Sequence, residues 1–280
     1  MSNNLKIAVL GTGNMGGALL GGILKAGVVT KDEVIATVKS EEKANSLRDK
    51  YGCTVLAGGN RIAAQQASVI VLATKPHIVP KVVDEIRDAL RPDQILISLA
   101  AALPLSVIEK RLPHPMPVFR AMPNIPVLVE EGAIAISANS HALPEHQLLV
   151  DRIFRAVGIV CTVEEEMMDA VTALSGSGPA YVYMVIEAFI AGGVKMGLSR
   201  EISTRLAEQT VLGAAKHVRQ SQAHPAVLRD EVTTPGGTTI VAIHELERHG
   251  LRSMLISAIE TATKHAKERS QILARKLDQA

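Results

Sequence analysis

Apolar residues in the first half of the chain fall into short runs separated by helical stretches. Leu5–Leu10, Glu33–Val38, Val69–Ala73 and Ile95–Leu99 are nearly continuous in Ile, Val, Leu and Ala, the pattern of strands covered on both faces. Between them Met15–Ala26, Glu41–Lys50 and Val79–Leu90 carry helical periodicity. Strand, helix, strand in series predicts a parallel, doubly wound α/β sheet. Further strands are predicted at Val118–Met122, Ala133–Ser137 and Ile159–Thr162, with a helix from Pro144 to Ala156.

After Val163 the alternation stops. Ser199 reads as an N-cap, followed by Ile202, Leu206, Thr210, Gly213 and Ala214 on one helical face. Pro179 suits a first helical turn. A last helix from Leu251 shows Met254, Leu255, Ala258, Ile259 and Ala262 at three-and-four spacing. Two domains are therefore expected, residues 1–163 around the sheet and residues 164–280 all-α. The apolar run Ala180–Met196 holds Glu187, a Gly192-Gly193 pair and Lys195, so a buried core helix is expected rather than a membrane span. The helices are rich in Gly and Ala, and such a domain is expected to complete its core with a partner subunit.

Composition narrows the function. With 280 residues and 47% hydrophobic content, the chain has ample material for a core. A charged fraction of 21% and a net charge of +2, with neither half a basic arm, favour neither nucleic acid nor an anionic membrane. Three Tyr, three Phe and no Trp leave few stacking platforms for single strands. Cys53 and Cys161 form no metal-type spacing or disulfide framework. No secretory segment is visible at the start, and a reducing cytoplasm is expected. His244 and His249 stand five apart, not the four of a zinc-binding helix, so no metal site is expected.

The strongest local signal is Leu5-Lys-Ile-Ala-Val-Leu-Gly11-Thr12-Gly13-Asn14-Met15-Gly16-Gly17. A strand runs into G-x-G-x-x-G, which opens a helix, the fingerprint of a Rossmann-type dinucleotide site. Gly11 permits the tight turn, Gly13 admits a pyrophosphate, and Gly16 lets helix pack on strand. NAD sites place a carboxylate at the end of the second strand. Here that end reads Thr37-Val38-Lys39-Ser40, with no carboxylate before Glu41. Thr37, Lys39 and Ser40 are expected to donate to a 2′-phosphate, so NADP(H) is preferred, with NAD(H) also accepted. The bland alternative makes Lys39 and Ser40 a solvated helix start. Ala73-Thr74-Lys75-Pro76-His77 follows a buried strand, where ligands of open sheets bind, and Thr74 and Lys75 are candidates for the cofactor channel. Lys75 is equally readable as a surface lysine. Ser98–Ala101 occupies the corresponding place after the next strand.

Two segments have compositions that helices do not need. Leu174-Ser175-Gly176-Ser177-Gly178-Pro179-Ala180 and Val232-Thr233-Thr234-Pro235-Gly236-Gly237-Thr238-Thr239 each put hydroxyls and bare amides before a helix. That is a cradle for a small carboxylate, or else a pair of capped helix starts. Neither contains a Lys, His or Tyr to act as an acid, although Tyr181 is near. A cyclic imine is basic enough to arrive protonated and needs no such acid, whereas a carbonyl does.

With these segments the chain resembles the pyrroline-5-carboxylate reductase family over essentially its whole length. The carriers are the G-x-G-N-M-G opening, Lys75-Pro-His77, Arg120-Ala-Met-Pro-Asn124, Leu174–Tyr181, Gly193-Val-Lys-Met-Gly197, and the series from His224 through Leu228-Arg-Asp230 to Thr239. The resemblance implies reduction of 1-pyrroline-5-carboxylate to L-proline by NADPH or NADH, the last step of proline synthesis. It implies that Gly11, Thr12, Gly13, Asn14, Met15 and Gly16 cradle the pyrophosphate, and that Val38, Lys39, Ser40 and Asn60 lie near the adenosine ribose or its phosphate. Thr74, Lys75, Pro76, Ala100 and Ala101 then lie along the nicotinamide side. Gly236, Gly237, Thr238 and Thr239 hold the substrate, with the Thr239 hydroxyl on the imine nitrogen and Ser175 in support. The family forms homodimers through its helical domains, assembled in larger rings such as decamers. The chain departs from the family at Ala102, where glycine is common, and at Ile125, where threonine is common.

Two rivals remain. A hydroxy-acid dehydrogenase would use Lys195 as its acid but leaves Pro235–Thr239 unexplained. A nucleotide-sensing regulator would keep the glycine loop and need no second cradle.

Overall fold

The computed structural model describes residues 5–278. Packing divides the chain into two compact units: residues up to Ser177 together with those from Ala262 onward, and Gly178–Thr261.

The first unit is built on one eight-stranded sheet in the order β3-β2-β1-β4-β5-β6-β7-β8. The strands are β1 (Ile7–Leu10), β2 (Val34–Val38), β3 (Thr54–Ala57), β4 (Val69–Leu72), β5 (Ile95–Ser98), β6 (Val118–Met122), β7 (Gly132–Ala138) and β8 (Gly158–Thr162). The connecting helices are α1 (Asn14–Lys25), α2 (Glu41–Tyr51), α3 (Asn60–Gln66), α4 (Val79–Ile86), α5 (Leu105–Glu109) and α6 (Pro144–Arg155). Successive strand residues face opposite sides. Val9, Val71, Ile97 and Phe119 pack with Leu20 and Ile23 of α1 and Phe154 of α6. Leu10, Ile70, Leu72 and Leu96 pack on the other face with Ala63 of α3 and Val83 of α4. Helices on both faces make this the doubly wound sheet that the apolar runs predict.

The sheet departs from the expectation in two places. β7 runs antiparallel to β6, and β8 runs parallel to β7. Between β6 and β7 lies only a 3-10 turn, Ile125–Val129, too short for the crossover that parallel pairing requires. The second departure is β3 with α3, which no periodicity announces. β3 is a sheet-edge strand in which only Val55 is buried, so it lacks an apolar run.

After β8 come α7 (Met168–Val171) and a π-helical turn, Thr172–Gly176. The remaining helices are α8 (Gly178–Lys195), α9 (Arg200–Ser221), α10 (Pro225–Glu231), α11 (Thr238–Arg248) and α12 (Leu251–Asp278). The second half is thus helical, as expected. Within the first unit, Ser270 near the end of α12 donates to Asp169 at 2.8 Å, and Leu273 and Leu277 pack on the sheet's second core.

In the second unit Ser199 caps α9, its hydroxyl accepting from the Ile202 amide at 3.2 Å. The run Ala180–Met196, expected as a buried core helix, is not buried within the single chain. This run is α8; Met184 is 68% and Tyr183 56% exposed. Too few helices surround α8 to cover it. The stretch Glu165–Lys195 is also long and apolar enough to cross a membrane by length and composition alone, an 18-residue window in it reaching a mean hydropathy of 1.2.

Candidate active site

Strand register aligns the carboxyl ends of four strands. Leu10 pairs with Thr37 and with Leu72, and Leu72 pairs with Ser98. Gly11–Gly16, Val38–Ser40, Thr74–Pro76 and Ala100–Ala101 therefore leave the sheet at one edge, where open α/β sheets hold ligands.

The three glycines of the turn sit in three different surroundings. Gly11 sits at φ +89°, and a Cβ there would run into the Thr74 side chain. A Cβ on Gly16 would lie 2.9 Å from Ala73 Cβ and 3.1 Å from Gly11 O, so helix and strand touch there. A Cβ on Gly13 would meet nothing within 4 Å. The fold itself has no need of glycine at 13; the open space suits a bound group. Gly13 is the N-cap of α1 and no side chain caps it. The first intrahelical bond is Gly17 N to Gly13 O at 2.8 Å, so the amides of Asn14, Met15 and Gly16 are left for an anion. Thr12 is buried with its hydroxyl turned to Val9 O at 3.4 Å, and Met15 packs on the core. Met15 offers its backbone rather than its side chain, whereas the Thr12 amide is itself spent on Thr37 O at 2.8 Å.

At the end of β2, Lys39 and Ser40 are exposed, and Lys39 makes no ion pair among the described residues. Ser40 is the N-cap of α2 with its hydroxyl uncommitted. Val38 is buried. Thr37 does not take the expected role. It is 2% exposed, and its hydroxyl accepts from Gly11 N at 3.1 Å and donates to Asn60 Oδ1 at 2.7 Å. Asn60 Nδ2 donates to Glu85 at 2.8 Å, leaving one amide hydrogen free. This Thr37–Asn60–Glu85 relay was not legible in the sequence, because its members are distant in the chain and nothing local marks them.

On the far side of β4, the Thr74 hydroxyl is buried without a hydrogen-bond partner. An orphaned polar atom at a ligand edge is costly unless a ligand completes it. Lys75 is exposed, Pro76 and Ala101 half-buried, and Ala100 buried. Ala102, where the resemblance expects glycine, stands at φ +59°, in the left-handed region that glycine adopts freely. Together the open Gly13, the uncapped α1 and the orphaned Thr74 hydroxyl fit a dinucleotide.

The two hydroxyl-rich segments differ from each other. Leu174–Ala180 is not a loop of bare amides, which corrects the expectation. It runs through the π turn into α8; Ser177 N bonds Thr172 O at 2.9 Å, and the Ser175 hydroxyl donates back to Val171 O at 3.1 Å. The second segment keeps its expected form in part. Gly236 takes φ +68°, and Gly237 is the N-cap of α11 with no side-chain cap. The Gly237 amide is spent within the turn on Thr234 O at 3.0 Å. The amides of Thr238, Thr239 and Ile240 remain open at the helix start, and no acidic residue sits in that first turn. Gly237 therefore shapes the turn, and the amides that follow it are left open. Its small size matters, since a Cβ would strike Thr234 Oγ1.

Other candidates are ordinary. His249 bonds Glu245 at 2.9 Å on the exposed face of α11, and no metal-binding cluster exists among the described residues. The Glu245 carboxyl is held below its usual range by Arg248 first and His249 second. Lys195 ends α8 and is exposed on the single chain.

Comparison with known proteins decides the family. Residues 165–269 match the family described as pyrroline-5-carboxylate reductase dimerisation, and residues 6–102 match one described as NADP oxidoreductase coenzyme F420-dependent. The chain is 41% identical over 269 residues to pyrroline-5-carboxylate reductase 2 of Macaca fascicularis, covering 94% of this chain and 83% of that one. The chain belongs to the pyrroline-5-carboxylate reductase family. A reductase from Methanosarcina acetivorans is 40% identical over 265 residues, covering 95% and 98% of the two chains. Among solved structures, the pyrroline-5-carboxylate reductase of Coxiella burnetii superposes with a TM-score of 0.91 at 37% identity, covering 95% and 99%. The Plasmodium falciparum enzyme, solved with NADP bound, gives 0.84 at 32% identity, covering 96% and 100%. The family's dimerisation match opens at residue 165, next to the expected boundary at 163. Packing of the single chain nonetheless keeps residues up to Ser177 with the sheet.

Proposed function

We propose that this chain reduces 1-pyrroline-5-carboxylate to L-proline with NAD(P)H, preferring NADPH, as the last step of proline synthesis. The observation that carries the reading is the uncapped first turn of α11 behind Pro235-Gly236-Gly237, in a chain of this family.

Gly11–Gly16 hold the pyrophosphate through the free amides of α1. Lys39, Ser40 and the remaining Asn60 amide hydrogen face the ribose and its 2′-phosphate, with Val38 beneath. Thr74, Lys75, Pro76, Ala100 and Ala101 line the nicotinamide side. The bound dinucleotide supplies the hydride. The amides of Thr238 and Thr239 hold the substrate carboxylate, as a helix start holds any small anion. The Thr239 hydroxyl contacts the imine nitrogen, which keeps its proton while the adjacent ring carbon gains hydride. No acid is required of the protein, in agreement with a segment free of Lys, His and Tyr. Ser175 supports the substrate side.

The exposed apolar faces of α8 and α9 are covered by a second copy of this chain in a homodimer. Burial of a few such residues stabilises an interface at roughly 25 cal/mol per Å². Both cysteines are free, which suits a reducing cytoplasm.

Steady-state oxidation of NADPH and of NADH, with pyrroline-5-carboxylate against a panel of 2-oxo acids, tests the proposal. Turnover restricted to the cyclic imine is expected, with NADPH the better donor. Equal turnover of 2-oxo acids would overturn it.

A further inference from the structure

The segment Arg120-Ala-Met-Pro-Asn124 has no part in the chemistry described so far. It closes β6, and its alternate residues face one stretch of chain. The Arg120 guanidinium pairs with Glu165 at 3.5 Å. A Cβ on Gly176 would lie 2.8 Å from Met122 Cε. Asn124 Nδ2 donates to the Ser175 carbonyl at 3.0 Å.

That last bond answers a local problem in the sequence. In a continuous α-helix the carbonyl of residue 175 accepts from the amide of residue 179. Residue 179 is proline, which has no N–H and whose ring crowds that carbonyl. The Ser175 carbonyl would be left without its helical donor. Asn124 is 8% exposed, and its own Oδ1 accepts from Ala133 N at 2.9 Å. This second bond fixes which end of the amide faces Ser175. The π turn is then closed by Ser177 N on Thr172 O at 2.9 Å, the kind of widened turn that often accompanies functional sites.

We infer that Asn124 is a positioning residue: it supplies the donor that Pro179 denies to Ser175 and so anchors the Thr172–Gly176 turn to the sheet. The inference rests on the substrate role proposed above for Ser175. Met122 lies against Gly176 of the same turn, and Arg120 pairs with Glu165 ahead of it.

Asn124→Asp tests it, because the variant keeps an acceptor for Ala133 N, removes the donor and sets an oxygen against the Ser175 carbonyl. An approximately tenfold rise in KM for pyrroline-5-carboxylate is expected, the size of one buried hydrogen bond. The NADPH dissociation constant, read by fluorescence titration, should stay within about twofold. Hydrogen exchange of peptides spanning 172–182 should quicken. Pro179→Ala returns an amide to residue 179, so Asn124→Asp should cost less in that background than in the native one. Additive losses in this double-mutant cycle would overturn the anchor. So would an unchanged KM together with unchanged exchange, or a loss of NADPH affinity as large as that in KM. If the native protein did not reduce pyrroline-5-carboxylate, the substrate reading would fall, while the exchange comparison would still judge the anchor.

Discussion

The Thr37 hydroxyl accepts from the Gly11 amide at 3.1 Å and is passed on to Asn60 at 2.7 Å. The glycine turn is therefore braced from beneath by the neighbouring strand. Thr37 O also accepts from Gly11 N at 3.2 Å and Thr12 N at 2.8 Å. Thr37→Val keeps these carbonyl bonds and loses the hydroxyl's two. It should destabilise the protein by about 1–2 kcal/mol and weaken dinucleotide binding. Thermal unfolding and a fluorescence titration check this; an unmoved dissociation constant would detach Thr37 from the cofactor loop.

Gly13 and Gly16 should respond differently to the same substitution. Gly13→Val adds a side chain whose Cβ meets nothing within 4 Å, so the fold should persist while dinucleotide binding is lost. Gly16→Val forces atoms against Ala73 and the Gly11 carbonyl and should lower stability by about 1–3 kcal/mol. Melting temperatures alongside cofactor titrations separate the two. Normal cofactor binding by Gly13→Val would contradict the loop assignment.

Ala102 occupies a left-handed conformation, φ +59°, that costs an L-residue roughly 1–2 kcal/mol. Glycine has no such cost, though its unfolded chain is more flexible. Ala102→Gly should stabilise the protein by about 0.5–1 kcal/mol net. Denaturant midpoints measure it, and a lower midpoint would refute the strain.

Lys39→Glu places a carboxylate beside the proposed 2′-phosphate position. NADPH affinity should fall more than NADH affinity, because only the former brings like charge. Parallel losses for both nucleotides would remove Lys39 from selectivity.

Thr239→Val replaces the hydroxyl proposed to meet the imine nitrogen with a methyl of similar size. Turnover should drop by about tenfold or more, the worth of one hydrogen bond in a reacting site, while NADPH binding stays close to native. Single-turnover rates and titration check both halves, and undiminished turnover would exclude Thr239 from the mechanism.

By itself the sequence determined what depends on residues near one another in the chain. Central strands show because both of their faces are apolar, the G-x-G-x-x-G turn because each glycine answers to its own backbone or contact, and the Ser199 cap because its acceptor is three residues from its donor. The tertiary structure alone decided what depends on distant partners. It set β7 antiparallel, added β3 at an edge where burial leaves little pattern, turned the Thr37 hydroxyl inward to Gly11 and Asn60, and joined Asn124 to Ser175. It also left α8 uncovered, since periodicity reports that a face is apolar but not which surface buries it.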